Sequence, residues 1–127
     1  MAASAVLYVK DLRSMRAFYE SCFAMSARHT DERACVLGSC DWELSLVRVP
    51  EHLAAAIVIA APPVRREQTP IKLAFDVADL DQVGSLVVAA GGQLDPADAI
   101  WEFRGRLHRD CLDPEGNVLQ LRQPSRD

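Results

Sequence analysis

An α+β fold built from two βαβββ modules is what this sequence predicts, and three observations predict it. The first is an internal repeat: Val9-Lys10-Asp11-Leu12 recurs 68 residues on as Val77-Ala78-Asp79-Leu80. The second is that the apolar positions behind the motif keep step. Leu12, Met15, Phe18, Tyr19 and Cys22 fall on Leu80, Val83, Leu86, Val87 and Ala90, the spacing of one helix face written twice. The third is that each stripe follows an apolar, strand-like run (6–9, then 71–77) and leads to further strands, ending at 42–47 and 118–121. Neither unit is large enough to build a core alone, so two must pair. A cleft between them is then the natural place for a ligand.

The elements follow in order. Residues 3–10 form a first strand, and Asp11 is placed to cap a helix over about 12–21. Residues 25–30 and 34–37 are strands joined by the turn Asp31-Glu32-Arg33. Gly38-Ser39-Cys40-Asp41 turns the chain into a strand over 42–49, which Pro50 stops. Residues 51–70 link the modules; their apolar stretch 53–60 suits a short strand or a helical turn equally well. A strand over 71–77 opens the second module. Asp79 repeats the capping role, and Gly91-Gly92 ends the second helix. Residues 93–98 read as a loop or weak strand, 100–103 and 106–112 as strands. Asp113-Pro114-Glu115-Gly116-Asn117 is a tight turn before a last strand over 118–123. The chain is thus one domain, 1–127, with module one at 3–50, the linker at 51–70 and module two at 71–123.

Composition narrows the function. Half of the 127 residues are hydrophobic, enough for a real core. A net charge of -4, a pI near 5.3 and scattered basic residues argue against a nucleic-acid partner. The densest basic pair, Arg65-Arg66, falls in the linker. No apolar run approaches the roughly 20 residues that span a bilayer, so no membrane partner is expected. The first residues lack the basic and apolar regions of a signal peptide, so the expected location is cytoplasmic. The four cysteines, Cys22, Cys35, Cys40 and Cys111, lack paired C-x-x-C knuckles and read as reduced and structural.

The V-x-D-L motif, Phe18-Tyr19 and Phe23 behind it, and the closing run from Asp113-Pro114-Glu115-Gly116-Asn117 to Gln120-Leu121 resemble the vicinal oxygen chelate superfamily. That superfamily includes glyoxalase I, the bleomycin-resistance proteins and the extradiol dioxygenases. The resemblance covers nearly the whole chain and implies a U-shaped sheet around a cleft. It also implies a homodimer, for which unpaired sheet edges supply a physical motive. In metal-dependent members four strand positions supply His or Glu ligands. Carried over residue by residue, those positions here are Ser4, Glu43, Lys72 and Gln120. A lysine ammonium donates and cannot ligate a cation at neutral pH, so no metal and no cofactor are expected. An ion pair between Glu43 and Lys72 is expected where the metal would sit.

Strand alternation assigns the polar, ligand-facing side. Ser4, Val6 and Tyr8 share it on the first strand, Glu43 and Ser45 on the fourth. Lys72, Ala74 and Asp76 share it in the second module, as do Val118, Gln120 and Arg122. The sequence Trp101-Glu102-Phe103-Arg104 offers an aromatic wall for planar ligands and an arginine for carboxylates. The candidate ligand-binding residues are therefore Tyr8, Glu43, Lys72, Trp101, Phe103, Arg104, His108 and Gln120. His108, between Arg106 and Arg109, could serve as a general base, but reads first as a plain surface or cleft-rim residue on an exposed strand; His29 and His52 read as surface residues. No catalytic residue is assigned: Lys72 beside Glu43 would weaken that carboxylate as a base. The leading expectation is a small-molecule binding protein of the glyoxalase/bleomycin-resistance type working without metal. A metal-dependent or acid-base lyase, isomerase or dioxygenase is the alternative, and a regulatory module with a vestigial cleft the third reading.

Overall fold

Two units divide the chain between residues 59 and 60, within the stretch that reads as a linker. The computed structural model describes residues 3–125; residues 1–2 and 126–127 of the expected domain lie outside that range. The fold is mixed α+β with two sheets, one in each unit.

The first unit runs β1 (Ala3–Val9), α1 (Leu12–Phe23), β2 (Ser26–Thr30), β3 (Ala34–Ser39), β4 (Trp42–Arg48) and a short α2 (Glu51–Ala54). Its sheet order is β1-β4-β3-β2, with β1 parallel to β4 and the other pairs antiparallel. The Asp11 carboxylate accepts from the Ser14 N–H at 3.0 Å, so α1 starts where its cap predicts. The whole expected stripe is buried: Leu12, Met15, Phe18, Tyr19 and Cys22. Phe18 and Tyr19 meet edge to face at 5.1 Å between ring centres, a favoured aromatic geometry. Under α1 lie Leu44 and Leu46 of β4 and Cys35 and Leu37 of β3, all fully buried. Alternation leaves Ser4, Val6 and Tyr8 exposed on the other face.

The second unit runs β5 (Leu73–Asp76), α3 (Leu80–Ala89), β6 (Gln93–Leu94), a 3-10 turn (Ala97–Ala99), β7 (Trp101–Phe103), β8 (Arg106–Leu112) and β9 (Val118–Pro124). The order β5-β9-β8-β6 repeats that of the first sheet. Asp79 caps α3 by accepting from the Asp81 and Gln82 N–H groups at 2.9 and 3.1 Å, and the Leu80 N–H donates to Gln123 Oε1 at 2.7 Å. The second stripe departs from expectation at one position. Leu80, Val83 and Val87 are buried, but Leu86 is 39% exposed. Gly84 takes the contact instead: a Cβ there would stand 2.6 Å from Leu94 Cδ2. The Leu94 side chain packs directly on the α3 backbone at Gly84, so the buried face of α3 is Leu80, Val83, Gly84 and Val87 and does not include Leu86.

The stretch 51–70 is a helical turn followed by irregular chain, and its two ends dock on different units. Lys10 Nζ donates to the Ile57 carbonyl in the first. In the second, the Arg66 N–H donates to the Gly116 carbonyl at 3.0 Å and Arg66 Nε to the Glu115 carbonyl at 3.1 Å, while Arg65 pairs with Asp95. The Asp113-to-Asn117 turn is what receives it. Asp113 is fully buried; its Oδ1 accepts from the Glu115 and Asn117 N–H groups at 2.9 and 3.0 Å. Gly116 has φ +84°, and a Cβ there would meet the Val64 carbonyl oxygen at 2.2 Å, so only glycine fits.

Cys22 and Cys35 are buried free thiols, Cys111 is buried and Cys40 is exposed. Burial pushes the Cys22 thiol up to about 12 and raises that of Cys35, because an apolar surround disfavours the thiolate. No helix among the described residues is long and apolar enough to cross a membrane.

Candidate functional site

The outer edge of β8 explains where a site forms. In the first unit β2 runs along β3 as one strand, with a single irregularity between Ala27 and His29. In the second, two short strands share the corresponding edge. β6 pairs with the Cys111–Leu112 end of β8 (Leu94↔Cys111, Gln93↔Leu112), and β7 pairs with its other end. The chain leaves the sheet between them and returns carrying Trp101 and Phe103. β7 then turns back into β8 through Arg104-Gly105, with φ +51° and +73°, the double positive φ of a type I′ hairpin.

Register sets the rest. Across one level of the sheet the partners are Asp76↔Arg122, Arg122↔His108 and His108↔Trp101. Cross-strand partners share a face, so all four side chains stand on the side away from α3. Trp101 accordingly stacks on His108, 5.2 Å between ring centres and 22° between planes. On the next level Ala74 partners Gln120 and Gln120 partners Asp110. A hollow of about 320 Å³ opens on this face. Its aromatic wall is Trp101 and Phe103, and Arg104, Arg106 and Arg122 surround it with guanidinium groups, with His108 and Gln120 completing the lining. Asp76 Oδ1 lies 3.0 Å from Arg122 Nε and 3.4 Å from an Arg106 Nη, so one carboxylate serves two arginines.

Five of the eight sequence candidates, Trp101, Phe103, Arg104, His108 and Gln120, thus line one hollow, and Lys72 sits close by with its ammonium 5.6 Å from the Trp101 ring centre. Tyr8 and Glu43 belong to the first sheet; Tyr8 is 66% exposed on its open face. Two expectations need correction. His108 is not an exposed rim residue: it is 5% exposed. Its Nε2 lies 3.2 Å from the Phe103 carbonyl. A carbonyl only accepts, so Nε2 carries the hydrogen. Nδ1 is buried without a hydrogen-bond partner among the described residues. The covering is Trp101, which β7 brings over from outside the β8–β9 hairpin. Nor is the pairing of Glu43 and Lys72 the expected one. Glu43 accepts from Arg28 Nη at 3.1 Å, and Lys72 donates to Asp110 at 3.0 and 3.2 Å, each within its own unit. Each partner stands two strands away in the same sheet, Arg28 beyond β3 from Glu43 and Asp110 beyond β9 from Lys72.

The sequence list omitted Arg106, although alternation along β8 puts it on the face of His108 and Asp110. It had placed Arg122 and Asp76 on that face without counting them as site residues. The signal was the pairing register of β5, β8 and β9, which turns separate charges into a cluster.

A metal of the kind the sequence resemblance raises does not fit the donors present. Lys72 is an ammonium already engaged by Asp110, and Glu43 is engaged by Arg28. Register adds that Gln120, opposite Ala74, is level in the repeat with Ser45, opposite Val6, and not with Glu43. Among the described residues no group of three or more His, Cys, Asp or Glu side chains is arranged to hold a metal ion.

A family model described as a glyoxalase-like domain matches residues 4–122. Similar solved structures include a glyoxalase/bleomycin resistance protein/dioxygenase family enzyme from Burkholderia phytofirmans PsJN, at TM-score 0.72 and 19% identity, covering 95% of this chain and 96% of that one. A mutant of the genomically encoded fosfomycin resistance protein FosX from Listeria monocytogenes, complexed with Mn(II) and 1S,2S-dihydroxypropylphosphonic acid, is similar at TM-score 0.72 and 15% identity, covering 98% and 90%. A glyoxalase-related enzyme from Fulvimarina pelagi is similar at TM-score 0.67 and 20% identity, covering 97% and 87%. No curated protein matches the chain.

Proposed function

The chain belongs to the glyoxalase-like domain family, and from that premise we propose that it binds a small organic molecule in the hollow of its second half without a metal ion. The observation that carries this reading is the hollow itself: an aromatic wall, Trp101 and Phe103, faced by arginines on paired strands. Its volume of about 320 Å³ falls at the lower end of small-molecule sites, which combine apolar walls with a few fixed polar groups. Most of those groups sit on strands rather than loops, so little ordering is needed when a ligand arrives. The FosX structure is seen with Mn(II); here Lys72 is an ammonium engaged by Asp110 and Glu43 is engaged by Arg28, which supports a metal-free reading instead.

The test combines metal content with thermal shift. Protein purified without chelator is titrated with nickel, zinc, manganese and iron(II), then screened against small organic acids with and without EDTA. The expected result is substoichiometric metal and a subset of acids that raise Tm equally in both buffers, since a ligand stabilises the state it binds. Tight, near-stoichiometric metal, or stabilisation that EDTA abolishes, overturns the reading and favours a metal-dependent enzyme. The homodimer expected from sequence belongs to the same proposal: β1 and β5 each end a sheet, and such edges favour association. Sedimentation velocity giving a monomer would remove it.

A further inference from the structure

Resting on that binding reading, we infer that the ligand is a small organic molecule carrying two negative charges. Charge counting around the hollow leads there. Lys72 is answered by Asp110, at 3.0 Å. Arg106 and Arg122 share the single carboxylate of Asp76, which leaves one positive charge over. Arg104 makes no ion pair among the described residues and adds a second. Guanidinium groups gathered on one face repel one another, and an oxyanion between them removes that cost.

Arg104 carries an independent sign of the same thing. Its φ of +51° lies in the left-handed region, where Gly, Asn or Asp is the usual residue of such a turn. A long cationic side chain gains nothing locally from that conformation. The departure from turn chemistry stands at the hollow and gives the hairpin a guanidinium at the hollow's edge, the pattern expected where local strain is kept for a site. Phe103, 58% exposed, and Trp101, 38% exposed, offer apolar surface for the body of the ligand. Arginine forks accept planar carboxylates and tetrahedral phosphates alike. The class is therefore an organic dianion, with the charge on one phosphate or phosphonate head or on two carboxylates.

Calorimetric titration at low salt tests this with four probes of one ring: phenyl phosphate, phthalate, benzoate and benzamide. The buffer is set at about pH 8, where a phosphate monoester carries close to two charges. The better dianion is expected to bind about five- to tenfold tighter than benzoate, with benzamide weakest and the advantage shrinking as salt rises. Whether phenyl phosphate or phthalate wins identifies one head or two. Arg104→Asn keeps a residue that tolerates the left-handed turn while removing the charge. It is expected to erase most of the dianion advantage with Tm unchanged or raised. Benzamide binding as tightly as the dianions overturns the charge inference and leaves small-molecule binding standing; binding of none of the four overturns both. An Arg104→Asn protein that loses stability yet keeps the dianion preference shows a structural arginine and also overturns the inference.

Discussion

At the level of Tyr8 the first sheet runs Tyr8, Val47, Ala34 across its strands. At the level of Asp76, 68 residues on, the second runs Asp76, Arg122, His108, Trp101. The strand order, the parallel pair and the helix caps are the same in both halves, yet one row is nearly uncharged and the other holds a carboxylate, a guanidinium and two stacked rings. The edges differ as well. A continuous β2 presents a polar, fully exposed strand, whereas the break between β6 and β7 brings aromatic side chains back over the sheet. The two halves thus share a scaffold, and the candidate site lies where the edge strand of the second half is interrupted.

The helices extend the contrast, and substitution at equivalent positions is the sharpest way to break it. Phe18 and Leu86 are related by the repeat, but Phe18 is fully buried and Leu86 is not. Phe18→Ala is expected to cost about 3–5 kcal/mol in urea unfolding, and Leu86→Ala less than about 1. Equal costs would show that the second helix packs as the first does. Next in size is the linker's seat. Gly116→Ala is expected to cost about 2–4 kcal/mol, since it adds left-handed strain to a collision with the Val64 carbonyl. Gly105→Ala, with nothing within 4 Å of the new Cβ, is expected to cost only about 1 kcal/mol.

Smaller effects separate the two ion pairs. Arg28 and Glu43 are both about two-fifths exposed, so Arg28→Ala is expected to change stability by less than about 0.5 kcal/mol. Lys72→Ala leaves the carboxylate of Asp110, 14% exposed, without its cation, and a loss on the order of 1 kcal/mol is expected after allowing for the exposed lysine. Similar small losses for both would show that burial of Asp110 does not matter. The last contrast is chemical. Cys40 should be alkylated first under native conditions, with Cys22, Cys35 and Cys111 protected by burial. Mass mapping that finds Cys22 labelled early would contradict its burial. The Cys22 thiol, at 9.0 when unperturbed and about 12 when folded, stays protonated where the unfolded chain ionises. Stability should therefore fall as pH rises from about 9 towards about 12.

Most of the fold was legible because it is carried by local and periodic signals. Asp11 and Asp79 cap helices for reasons visible within four residues. Alternation in 42–48 and 118–124 separates packing residues from open-face residues whatever the partner strand. Leu86 and His108 were misread for a common reason: each depends on how closely another element approaches. Nothing in the spacing of α3 shows that Gly84 lets Leu94 come within contact, and nothing around His108 shows that Trp101 will lie over it. The site was legible as a list and not as a cluster. Trp101, Phe103, Arg104, His108 and Gln120 were candidates by chemistry, but Arg106 was passed over, because its neighbours are set by pairing and not by spacing.

The sequence by itself determined the duplication, the two helix starts, the sides of each strand and the closing turn, since all of these follow from residues within a few positions of one another. The tertiary structure alone decided which charges meet. Asp76 holds Arg106 and Arg122 because β5, β9 and β8 lie side by side in one register; Glu43 meets Arg28 over the intervening β3, and Lys72, beside β5, meets Asp110 over the intervening β9. Electrostatic contacts fall off steeply with distance, so they are set by the last few ångströms of strand placement, which no periodicity in the chain records.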